Sequence, residues 1–570
     1  MRRFRISCAA VLALLLIISV CACGQVPSDR QNEAPAPAPA PAPAEKNGDI
    51  YILYTSDVHC GVDRGFGYGG LMELRNSLEA QGYTTILVDN GDSIQGESIG
   101  TLTRGEAMTE LMNIIGYDVA IPGNHEFDYG VDRFLELAGK AKFPYISCNF
   151  NKEGKLLFEP YTIIEAAGKK IAFVGVTTPE TITTSTPTYF QDDDGNYIYG
   201  FLQDETGEAL YKAVQDAVDS ARAAGADHVY LLGHLGMFGY GTLWSYAEII
   251  ANTNGIDVLL DGHSHDTEQV VMKNKDGEDV VRSACGTKLS CIGYSLISKD
   301  KGIVDTNIWS WPNSKSFPEL FGIENEASAA VDKAMDDLSE TLDKVIARTN
   351  VLLTINDPAE KDDSGSPIRM VRRAETNLGD LCADAFRAAG RADIGIFGGG
   401  GVRTSVEKGD ITYGDLINLF PFGNYLCVIE ATGQQILDAL EWGVQKIPGE
   451  FGGFLQVSGM SYEVDASVPS GCKSDENNMQ TVIEGPRRVS NVKVGGEPID
   501  PQKLYTVAST DYVLLSNGDG LTAFDGAKLL QDRVKLDVQL LIEYITGDLA
   551  GEVGAGYLDL AGDGRIVITQ

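Results

Sequence analysis

Most histidines of this chain stand in loops whose other residues could also bind a metal ion. The chain has six histidines among 570 residues, and five of them lie in short polar loops that follow apolar runs. These loops, together with one that offers an aspartate alone, read SDVH (56–59), NGDS (90–93), GNHEFD (123–128), GHLG (233–236) and GHSH (262–265). Carboxylates, amide oxygens and neutral imidazoles are the donor set that borderline divalent ions accept. One such loop alone would more often be a turn or a helix cap, but five together predict a metal centre.

Two residues refine this prediction. A dinuclear centre needs a ligand that bridges two ions, and the Asp92 carboxylate is suited to that role. His228, the sixth histidine, begins the run HVYLLGH. It is predicted to be a strand-edge residue without a catalytic role.

The segment IPGNHEFDYG, residues 121–130, concentrates four polar side chains in five positions. Asn124, His125, Glu126 and Asp128 could each bind a metal, move a proton or cap a helix. The segment by itself does not divide these roles among its residues.

The elements that would position these loops alternate between strand and helix. Strand-like runs include IYILYTSD, TTILVDN, KIAFVGV, DHVYLLGH and GIDVLLDGH, and the patterns between them predict helices over 70–81 and 105–116. This alternation indicates an α/β fold. The polar loops follow the runs directly, at the carboxyl ends of the predicted strands, where sites collect in α/β sheets.

Chain length and linkers predict more than one domain. A chain of 570 residues is expected to form two or three domains. The charged, alanine-rich stretch 323–348 is typical of a connecting helix, and another strand-loop signal, ADIGIFGGGGVR, follows it. We expect a first domain over 49–315, a connecting helix within 316–350 and a second domain over 351–570.

The N-terminus has the features of a bacterial export signal. Arg2, Arg3 and Arg5 precede an apolar run that is too short to span a bilayer. The run ends in VCAC before Gly24, which resembles a lipobox with Cys23 as the lipidated residue; an ordinary secretory signal over 1–23 is the alternative.

A spacer follows the signal. Residues 24–48 include the repeat APAPAPAPAPA (34–44), which favours an extended polyproline II spacer of about 30 Å. Together, signal and spacer predict an extracytoplasmic bacterial lipoprotein that is held at the cell membrane by its lipid alone.

Net charge limits the partners. The chain has 45 basic and 81 acidic residues and a formal net charge of -36. This excludes a nucleic-acid polymer as the expected partner, because such a partner needs a basic footprint. It also repels small anions at long range, so a phosphate site here would need metals or clustered arginines. Seven cysteines follow Cys23 without a CxxC motif, so no disulfide scaffold is expected, although one pair remains open.

The five loops, in their order along the chain, resemble those of the calcineurin-like metallophosphoesterases. With the second domain, the chain resembles the 5'-nucleotidase family, which includes enzymes of the UDP-sugar hydrolase/5'-nucleotidase and 2',3'-cyclic-nucleotide phosphodiesterase type. The resemblance covers residues 49 to about 530. It implies a calcineurin-like β-sandwich flanked by helices and a second α/β substrate-binding domain, joined by a helix.

The resemblance implies a dinuclear site with two divalent ions, of zinc, manganese or cobalt. Asp57, His59 and His265 would hold one ion, Asn124, His234 and His263 the other, and Asp92 would bridge them. A water or hydroxide between the ions would attack phosphorus in line with the ester oxygen. Relatives often have an amide side chain in place of His265, and the imidazole shifts the expected preference toward zinc-like ions.

The same resemblance divides the segment 121–130. His125 would stabilise the transition state or the leaving oxygen without binding metal, and Asp128 would orient that imidazole. Glu126 would accept backbone hydrogen bonds in a structural role.

The second domain supplies the residues that the resemblance assigns to the nucleotide. Arg372 and Arg403 would contact phosphate, as the guanidinium fork suits phosphate oxygens. Phe422 and Tyr512 would sandwich the base, and Asp519 would hold the ribose hydroxyls.

These features predict a surface-anchored hydrolase that dephosphorylates nucleoside 5'-monophosphates and acts in nucleotide catabolism and salvage. UDP-sugars and 2',3'-cyclic nucleotides are further candidate substrates. The alternative is a nutrient-binding lipoprotein that serves a transporter without catalysis. The sequence leaves open the preferred base and ester, the native metal, the oligomeric state, the pairing of cysteines and the role of Cys60.

Overall fold

The structure, a computed structural model, describes residues 46–192, 194–237, 242–311, 324–357, 361 and 367–569. The predicted signal segment with Cys23 and the predicted spacer up to residue 45 lie outside the described residues, as do residues 316–323 of the predicted connecting segment. Everything described falls within one compact unit, Ala44–Gln570. None of the helices in these ranges combines the length and the apolar character that crossing a bilayer requires.

The first half of the chain alternates strands with helices, as its sequence predicts. Its strands are β1 (Ile50–Thr55), β2 (Thr84–Asp89), β3 (Val119–Ala120), β4 (Asn151–Lys152), β5 (Lys155–Leu156), β6 (Tyr161–Ala166), β7 (Lys169–Thr177), β8 (Tyr199–Gly200), β9 (His228–His234), β10 (Val258–Asp261), β11 (Thr267–Lys273), β12 (Asp279–Cys285), β13 (Cys291–Ser298) and β14 (Gly302–Ser310). Its helices are α1 (Gly67–Ala80), α2 (Ser98–Thr103), α3 (Glu106–Ile115), α4 (Val131–Lys140), α5 (Thr181–Thr184), α6 (Glu208–Ala223) and α7 (Tyr246–Asn252).

Two facing sheets form the body of this half. One has the order β14-β13-β1-β2-β3 and the other β11-β12-β10-β9-β7-β6. Apolar side chains such as Ile52, Val88, Phe173, Tyr230 and Leu260 fill the space between the sheets. Helices α1 and α3 cover the outer face of the first sheet, and α6 and α7 cover the second. Because both faces of the central strands are buried, these strands are nearly continuous apolar runs.

The predicted connecting helix is shorter than expected. Helix α8 (Glu326–Leu342) begins at a capping box in which Asn325 and Ser328 bond reciprocally, and it packs on the core of the first half. Residues expected to continue it form strand β15 (Val345–Thr349) instead, which pairs with β17 (Gly409–Thr412) of the second half. Its β-branched residues explain the difference, because they favour strands over helices.

The second half centres on a five-stranded sheet of order β19-β16-β25-β18-β26. The remaining strands are β16 (Ile394–Gly398), β18 (Leu426–Thr432), β19 (Leu455–Ser458), β20 (Met460–Asp465), β21 (Cys472–Ser474), β22 (Gln480–Ile483), β23 (Val489–Val494), β24 (Glu497–Pro498), β25 (Leu504–Thr510), β26 (Lys528–Gln531), β27 (Glu552–Val553) and β28 (Ile566–Thr569). Its helices are α9 (Asn377–Gly390), α10 (Tyr413–Leu419), α11 (Gly433–Gly443), α12 (Asp511–Leu514) and α13 (Asp537–Glu543).

Helices α9 and α11 cover opposite faces of this sheet. Helix α9 begins where the sequence places its cap, since the Thr376 hydroxyl accepts the N–H of Gly379 at 3.0 Å. The arginine pair Arg372 and Arg373 lies just before the helix, separated from it by residues 374–376. The α/β class and the layered architecture predicted for both halves are confirmed.

Candidate active site

Five loops of the first half meet at one edge of its two sheets. The strand that precedes each loop ends at this edge, so the polar residues after the strands gather there. Asp57 and His59 follow β1, Asp92 follows β2, Asn124 follows β3, His234 ends β9, and His263 and His265 follow β10.

A first group of donors has the composition of a metal site. Asp57, His59, Asp92 and His265 each offer one ligand atom, and these atoms lie within 4.8 Å of one another. The Nε2 atoms of His59 and His265 are 3.0 Å apart. His59 Nδ1 lies 3.0 Å from the Gln95 carbonyl oxygen, which can only accept, so the proton sits on Nδ1 and the Nε2 lone pair faces the group. The residues present therefore fit a divalent ion.

A second group shares Asp92 with the first. Asp92, His234 and His263 also offer ligand atoms within 4.8 Å of one another. The Asn124 amide oxygen joins them, 3.2 Å from His234 Nε2 and 2.9 Å from His263 Nδ1. His234 Nδ1 lies 2.8 Å from the Asn90 carbonyl oxygen, an outer contact that orients its ring. Asp92 thus stands between two sets of donors, where a bridging carboxylate would be.

The charges of the two groups are strongly coupled. Burial alone would raise the pKa of Asp92, but His234, together with two other imidazoles, lowers it well below its ordinary value. Burial alone would lower the pKa of His234, but Asp92 and Asp57 raise it to about 10. Burial lowers the pKa of His59 and of His265, so both imidazoles are neutral and able to bind metal. The buried carboxylates create the negative field that a divalent cation neutralises.

The backbone at these loops is held in an uncommon conformation. Left-handed φ angles occur at Asp57 (51°), His59 (44°), Asp92 (59°), His263 (80°) and His265 (59°). Residues with a Cβ atom adopt such angles at a cost of about 1–3 kcal/mol each, and they cluster at functional sites. The loops also hold one another, since the His59 N–H donates to the Asp92 carbonyl at 2.8 Å. The backbone conformation and these contacts between loops therefore hold the candidate ligands against one another.

One glycine in these loops allows a close approach. A Cβ atom on Gly123 would lie 2.3 Å from Asp92 Oδ1 and 2.8 Å from the His234 ring. Any side chain here would push into the shared carboxylate, so the GNH loop requires glycine at this position.

Within the segment 121–130, Glu126 has a structural environment. Its fully buried carboxylate accepts N–H groups from Gly123 (2.6 Å), Asp92 (2.7 Å), Ser93 (2.8 Å) and Ile94 (3.3 Å). It therefore holds the NGDS loop against the GNHEFD loop, as the sequence predicts for a carboxylate that accepts backbone hydrogen bonds.

His125 and Asp128 form a pair beside the metal donors. His125 Nδ1 lies 2.5 Å from Asp128 Oδ2, and the Ser185 hydroxyl donates to Asp128 Oδ1 at 2.9 Å. The His125 N–H donates to Asp92 Oδ1 at 2.8 Å, which ties the pair to the shared carboxylate. Nδ1 is thus occupied, and Nε2 is the ring nitrogen left for a ligand in the cavity that His125 lines.

The two halves enclose a cavity of about 850 Å³ above the metal donors. Arg372 and Arg403 line its opposite wall, and within the described ranges neither guanidinium has a hydrogen-bond or ion-pair partner. Burial and the neighbouring Arg369 lower the pKa of Arg403 to about 10 and that of Arg372 well below its ordinary value. Arginine stays protonated in proteins, so these shifts mark a crowded positive cluster that an anion would relieve.

The predicted aromatic residues also line this cavity. The Phe422 ring stacks on His125 at 5.7 Å between centroids, with Arg403 5.5 Å from the same ring. The Tyr512 hydroxyl donates to the Thr183 carbonyl at 2.9 Å. The Asp519 N–H donates to that hydroxyl at 3.1 Å, so the two predicted substrate residues of this loop are neighbours.

Two cavity residues were missed by the sequence analysis. Glu180 Oε2 lies 3.2 Å from His263 Nε2, on the side of the ring away from Asn124. It follows strand β7 within three residues, so the rule that located the other loops could have found it. Arg369 stands three residues before Arg372 and bonds Glu450 at 2.7 Å. By contrast, Arg373 is drawn toward Asp357, 4.0 Å away.

The cysteines of the described chain are unpaired, and Cys60 is one of them. Burial raises the pKa of the Cys60 thiol, and its sulfur lies 3.6 Å from the Ser93 carbonyl oxygen. A protonated, buried thiol is a poor metal ligand.

Comparison with known proteins follows the division into halves. Residues 50–267 match the model of the calcineurin-like phosphoesterases, and residues 345–526 match the 5'-nucleotidase C-terminal domain. The chain is 28% identical over 542 residues to the trifunctional nucleotide phosphoesterase protein YfkN of Bacillus subtilis, covering 87% of this chain but 34% of that protein. It thus spans about a third of the length of this relative.

Two further relatives match along most of their length. A 5'-nucleotidase of Vibrio parahaemolyticus is 27% identical over 508 residues, which cover 83% of each chain. The crystal structure of a 5'-nucleotidase precursor from Thermus thermophilus superposes with a TM-score of 0.73 at 26% identity, covering 92% of this chain and 99% of that one.

Proposed function

We propose that this chain, which belongs to the 5'-nucleotidase family of calcineurin-like phosphoesterases, removes phosphate from nucleoside 5'-monophosphates in nucleotide catabolism and salvage. Its family makes it a hydrolase of phosphoric esters. The preference for mononucleotides over UDP-sugars and 2',3'-cyclic nucleotides is the finer part of the proposal.

One observation carries it: the metal donors face the same cavity as two arginines that have no hydrogen-bond or ion-pair partner among the described residues. Asp92 and His125 lie on one wall, and Arg372 and Arg403 on the other. A phosphate between these walls would meet cations from both sides. Such local positive charge is what an anionic substrate needs in a chain with a net charge of -36.

The donor groups suit two divalent ions. Asp57, His59 and His265 would hold one, Asn124, His234 and His263 the other, and Asp92 would touch both. When bound, such ions lower the pKa of a water molecule and neutralise charge on phosphoryl oxygens.

The remaining residues act on the substrate directly or through a neighbour. The Asp128 carboxylate fixes His125 by accepting from Nδ1, so the second N–H of a His125 imidazolium, on Nε2, would donate to a phosphoryl or leaving oxygen. Arg372 and Arg403 would hold the phosphate oxygens. This arrangement would stabilise charge that builds up during ester cleavage, beyond what binding alone requires.

The nucleoside would occupy the part of the cavity that the second half of the chain lines. Phe422 and Tyr512 offer aromatic surface for a base, and stacking on such rings tolerates any base. The Asp519 carboxylate would accept the ribose hydroxyls. Burial raises the pKa of Asp519 to about 6, and the nearby Arg372 opposes this shift. Asp519 is therefore ionised and able to accept at neutral pH.

We also propose that the mature chain is lipidated at Cys23 and held outside the cytoplasm. The support is the basic start, the short apolar run and the proline-rich spacer. Labelled palmitate should be incorporated into the expressed full chain and lost in Cys23→Ala. Cys21→Ala is the matched control and should keep the label; equal labelling of all three would reject Cys23 as the site.

The enzymatic proposal is tested with purified protein and a panel of AMP, UMP, 2',3'-cyclic AMP and UDP-glucose, each with Mn²⁺, Zn²⁺ or Co²⁺. We expect phosphate release to be fastest from the mononucleotides. Faster turnover of another substrate would overturn the preference, while absence of turnover on every substrate would favour a transport-binding protein. Metal analysis separates the two classes, since the enzyme should hold close to two divalent ions per chain.

A further inference from the structure

A second group of carboxylates lies outside the cavity, where the last strand meets the start of α9. Glu375, Asp380 and Asp563 each offer one oxygen, and these oxygens lie within 4.8 Å of one another. Glu375 is 3% exposed and Asp380 2% exposed, whereas Asp563 is at the surface. None of the three lines the cavity described above.

One buried carboxylate oxygen in this group accepts no hydrogen bond from the described residues. Glu375 accepts the N–H groups of Gly564 (2.9 Å) and Ile566 (2.6 Å) with its two oxygens. Asp380 Oδ2 accepts the N–H of Asp563 at 3.2 Å. Asp380 Oδ1 is buried and has no hydrogen-bond donor among the described residues.

The nearest cation does not satisfy that oxygen. Arg565 Nε lies 3.5 Å from Asp380 Oδ1, but its single N–H donates to Asp563 Oδ1 at 2.9 Å. The rest of the Arg565 guanidinium bonds Asp384 at 2.7 and 3.0 Å and the second oxygen of Asp563 at 3.2 Å. Asp380 Oδ1 therefore faces other carboxylates without a donor of its own.

The local charge is also unbalanced. Asp380, Asp384 and Asp563 each form an ion pair with Arg565, and the Glu375 carboxylate lies beside those of Asp380 and Asp563. Buried carboxylates in contact need a proton or a cation between them.

We propose that Glu375, Asp380 and Asp563 bind a divalent cation of the calcium type at a structural site separate from the catalytic cavity. The donors are all oxygens, which suit hard cations. Ca²⁺ accepts irregular carboxylate geometry, whereas Mg²⁺ demands a near-ideal octahedron and keeps several waters, which a site with two buried carboxylates does not favour.

The position of this site indicates what a bound cation would stabilise. Glu375 follows Arg372 by three residues, and Asp380 lies in the first turn of α9. Asp563 belongs to the turn that leads into β28 (Ile566–Thr569). A cation here would clamp the C-terminal turn to the segment that carries Arg372, independently of whether the cavity takes nucleotides.

Calcium binding to the chelator-treated full chain tests the proposal, measured by equilibrium dialysis with radioactive Ca²⁺. The variant Asp92→Asn, which disables the catalytic donors, serves as background, and Asp380→Asn is compared within it. We expect Asp380→Asn to bind one Ca²⁺ fewer, and 1 mM Ca²⁺ to raise the Tm of the background protein but not that of the Asp380→Asn protein. Asp384→Asn is the matched control, with the same charge change one turn along α9, and should keep the ion.

Equal Ca²⁺ binding with and without Asp380→Asn would overturn the proposal. A proton shared between Glu375 and Asp380 would then explain how the two carboxylates lie in contact. Should Asp380→Asn fail to fold, the exposed Asp563→Asn decides. Its Kd for Ca²⁺ should rise by about tenfold or more, since affinity at such sites follows the number of charged ligands. An unchanged Kd would again reject the site.

Discussion

Replacing Asp128 by asparagine tests whether this carboxylate acts only through His125. Asp128 Oδ2 lies 2.5 Å from His125 Nδ1, and Ser185 holds the other oxygen at 2.9 Å. The side chains of Asp128 and His125 are only 6% and 11% exposed, so solvent screens their interaction little. Asparagine keeps the shape and removes the charge, so the change addresses the electrostatic part of the pair.

The size of the effect follows from the strength of that contact. A hydrogen bond to a charged group contributes about 1.5–3 kcal/mol. Because about 1.4 kcal/mol is a tenfold change in rate, kcat for AMP should fall about 10- to 150-fold in Asp128→Asn. His125→Ala removes the donor itself and should cost about 10²- to 10⁴-fold.

The assay is a double-mutant cycle under saturating AMP and Mn²⁺, with metal content measured on every protein. If Asp128 works through His125, adding Asp128→Asn to His125→Ala should cost almost nothing further. Asp132→Asn, an exposed change in α4, is the matched control and should keep wild-type turnover.

Two outcomes would refute this reasoning. Asp128→Asn could lower turnover by the same factor in the wild-type protein and in His125→Ala. That result would mean that Asp128 acts independently of His125. Loss of a metal ion in His125→Ala would mean that the segment 121–130 divides its roles differently, with His125 among the ligands.

Three further changes test other parts of the structure. Arg372→Ala should lower kcat/KM for AMP about 10- to 150-fold through lost charged hydrogen bonds to phosphate, with metal content unchanged; an unaltered kcat/KM would remove Arg372 from the substrate site. Arg282→Met should lower the free energy of unfolding by about 3–5 kcal/mol in urea titrations, because it leaves the buried Asp261, now 2.8 Å from the guanidinium, without its partner; a loss below 1 kcal/mol would contradict this. Burial raises the pKa of Asp537 to about 8, so between about pH 4 and pH 8 the folded state binds the extra proton and stability falls as pH rises. The Tm at pH 5 minus the Tm at pH 8 should therefore be smaller in Asp537→Asn than in the wild-type protein. An unchanged difference would mean that other groups cause the pH dependence.

The sequence predicted the parts of the fold in which local pattern and tertiary environment agree. Apolar runs such as 50–55 and 258–261 became strands because both of their faces are covered, and the polar residues after them met at one edge of the sheets. The stretch 345–349 shows the limit. The helical pattern of 323–348 runs into it, but its β-branched residues favour a strand and pairing with β17 completes one. That partner lies about sixty or more residues further along the chain, so a local pattern contains no information about it.

The candidate site divides in the same way. The predicted metal donors come together because each follows a strand, a relation that is visible along the chain. Glu180 obeys the same relation but carries no distinctive motif, so it was missed. The group of Glu375, Asp380 and Asp563 could not be predicted, because Asp563 lies 183 positions beyond Asp380 and reaches it only in the folded chain, where β28 pairs with β20.

The arginines of the cavity resolve the conflict between an acidic chain and an anionic substrate. A net charge of -36 repels a phosphate at long range, but solvent ions screen that repulsion beyond about 10 Å. Inside the cavity, burial and repulsion by the neighbouring Arg369 lower the pKa of Arg403 to about 10, and burial and repulsion by Arg369 and Arg403 lower that of Arg372. This repulsion is present before the substrate arrives, and a phosphate dianion relieves it. Phosphate binding would therefore draw on an unfavourable contact already built into the second half of the chain, whereas a neutral nucleoside would relieve none of it and would have only the proposed contacts with Phe422, Tyr512 and Asp519.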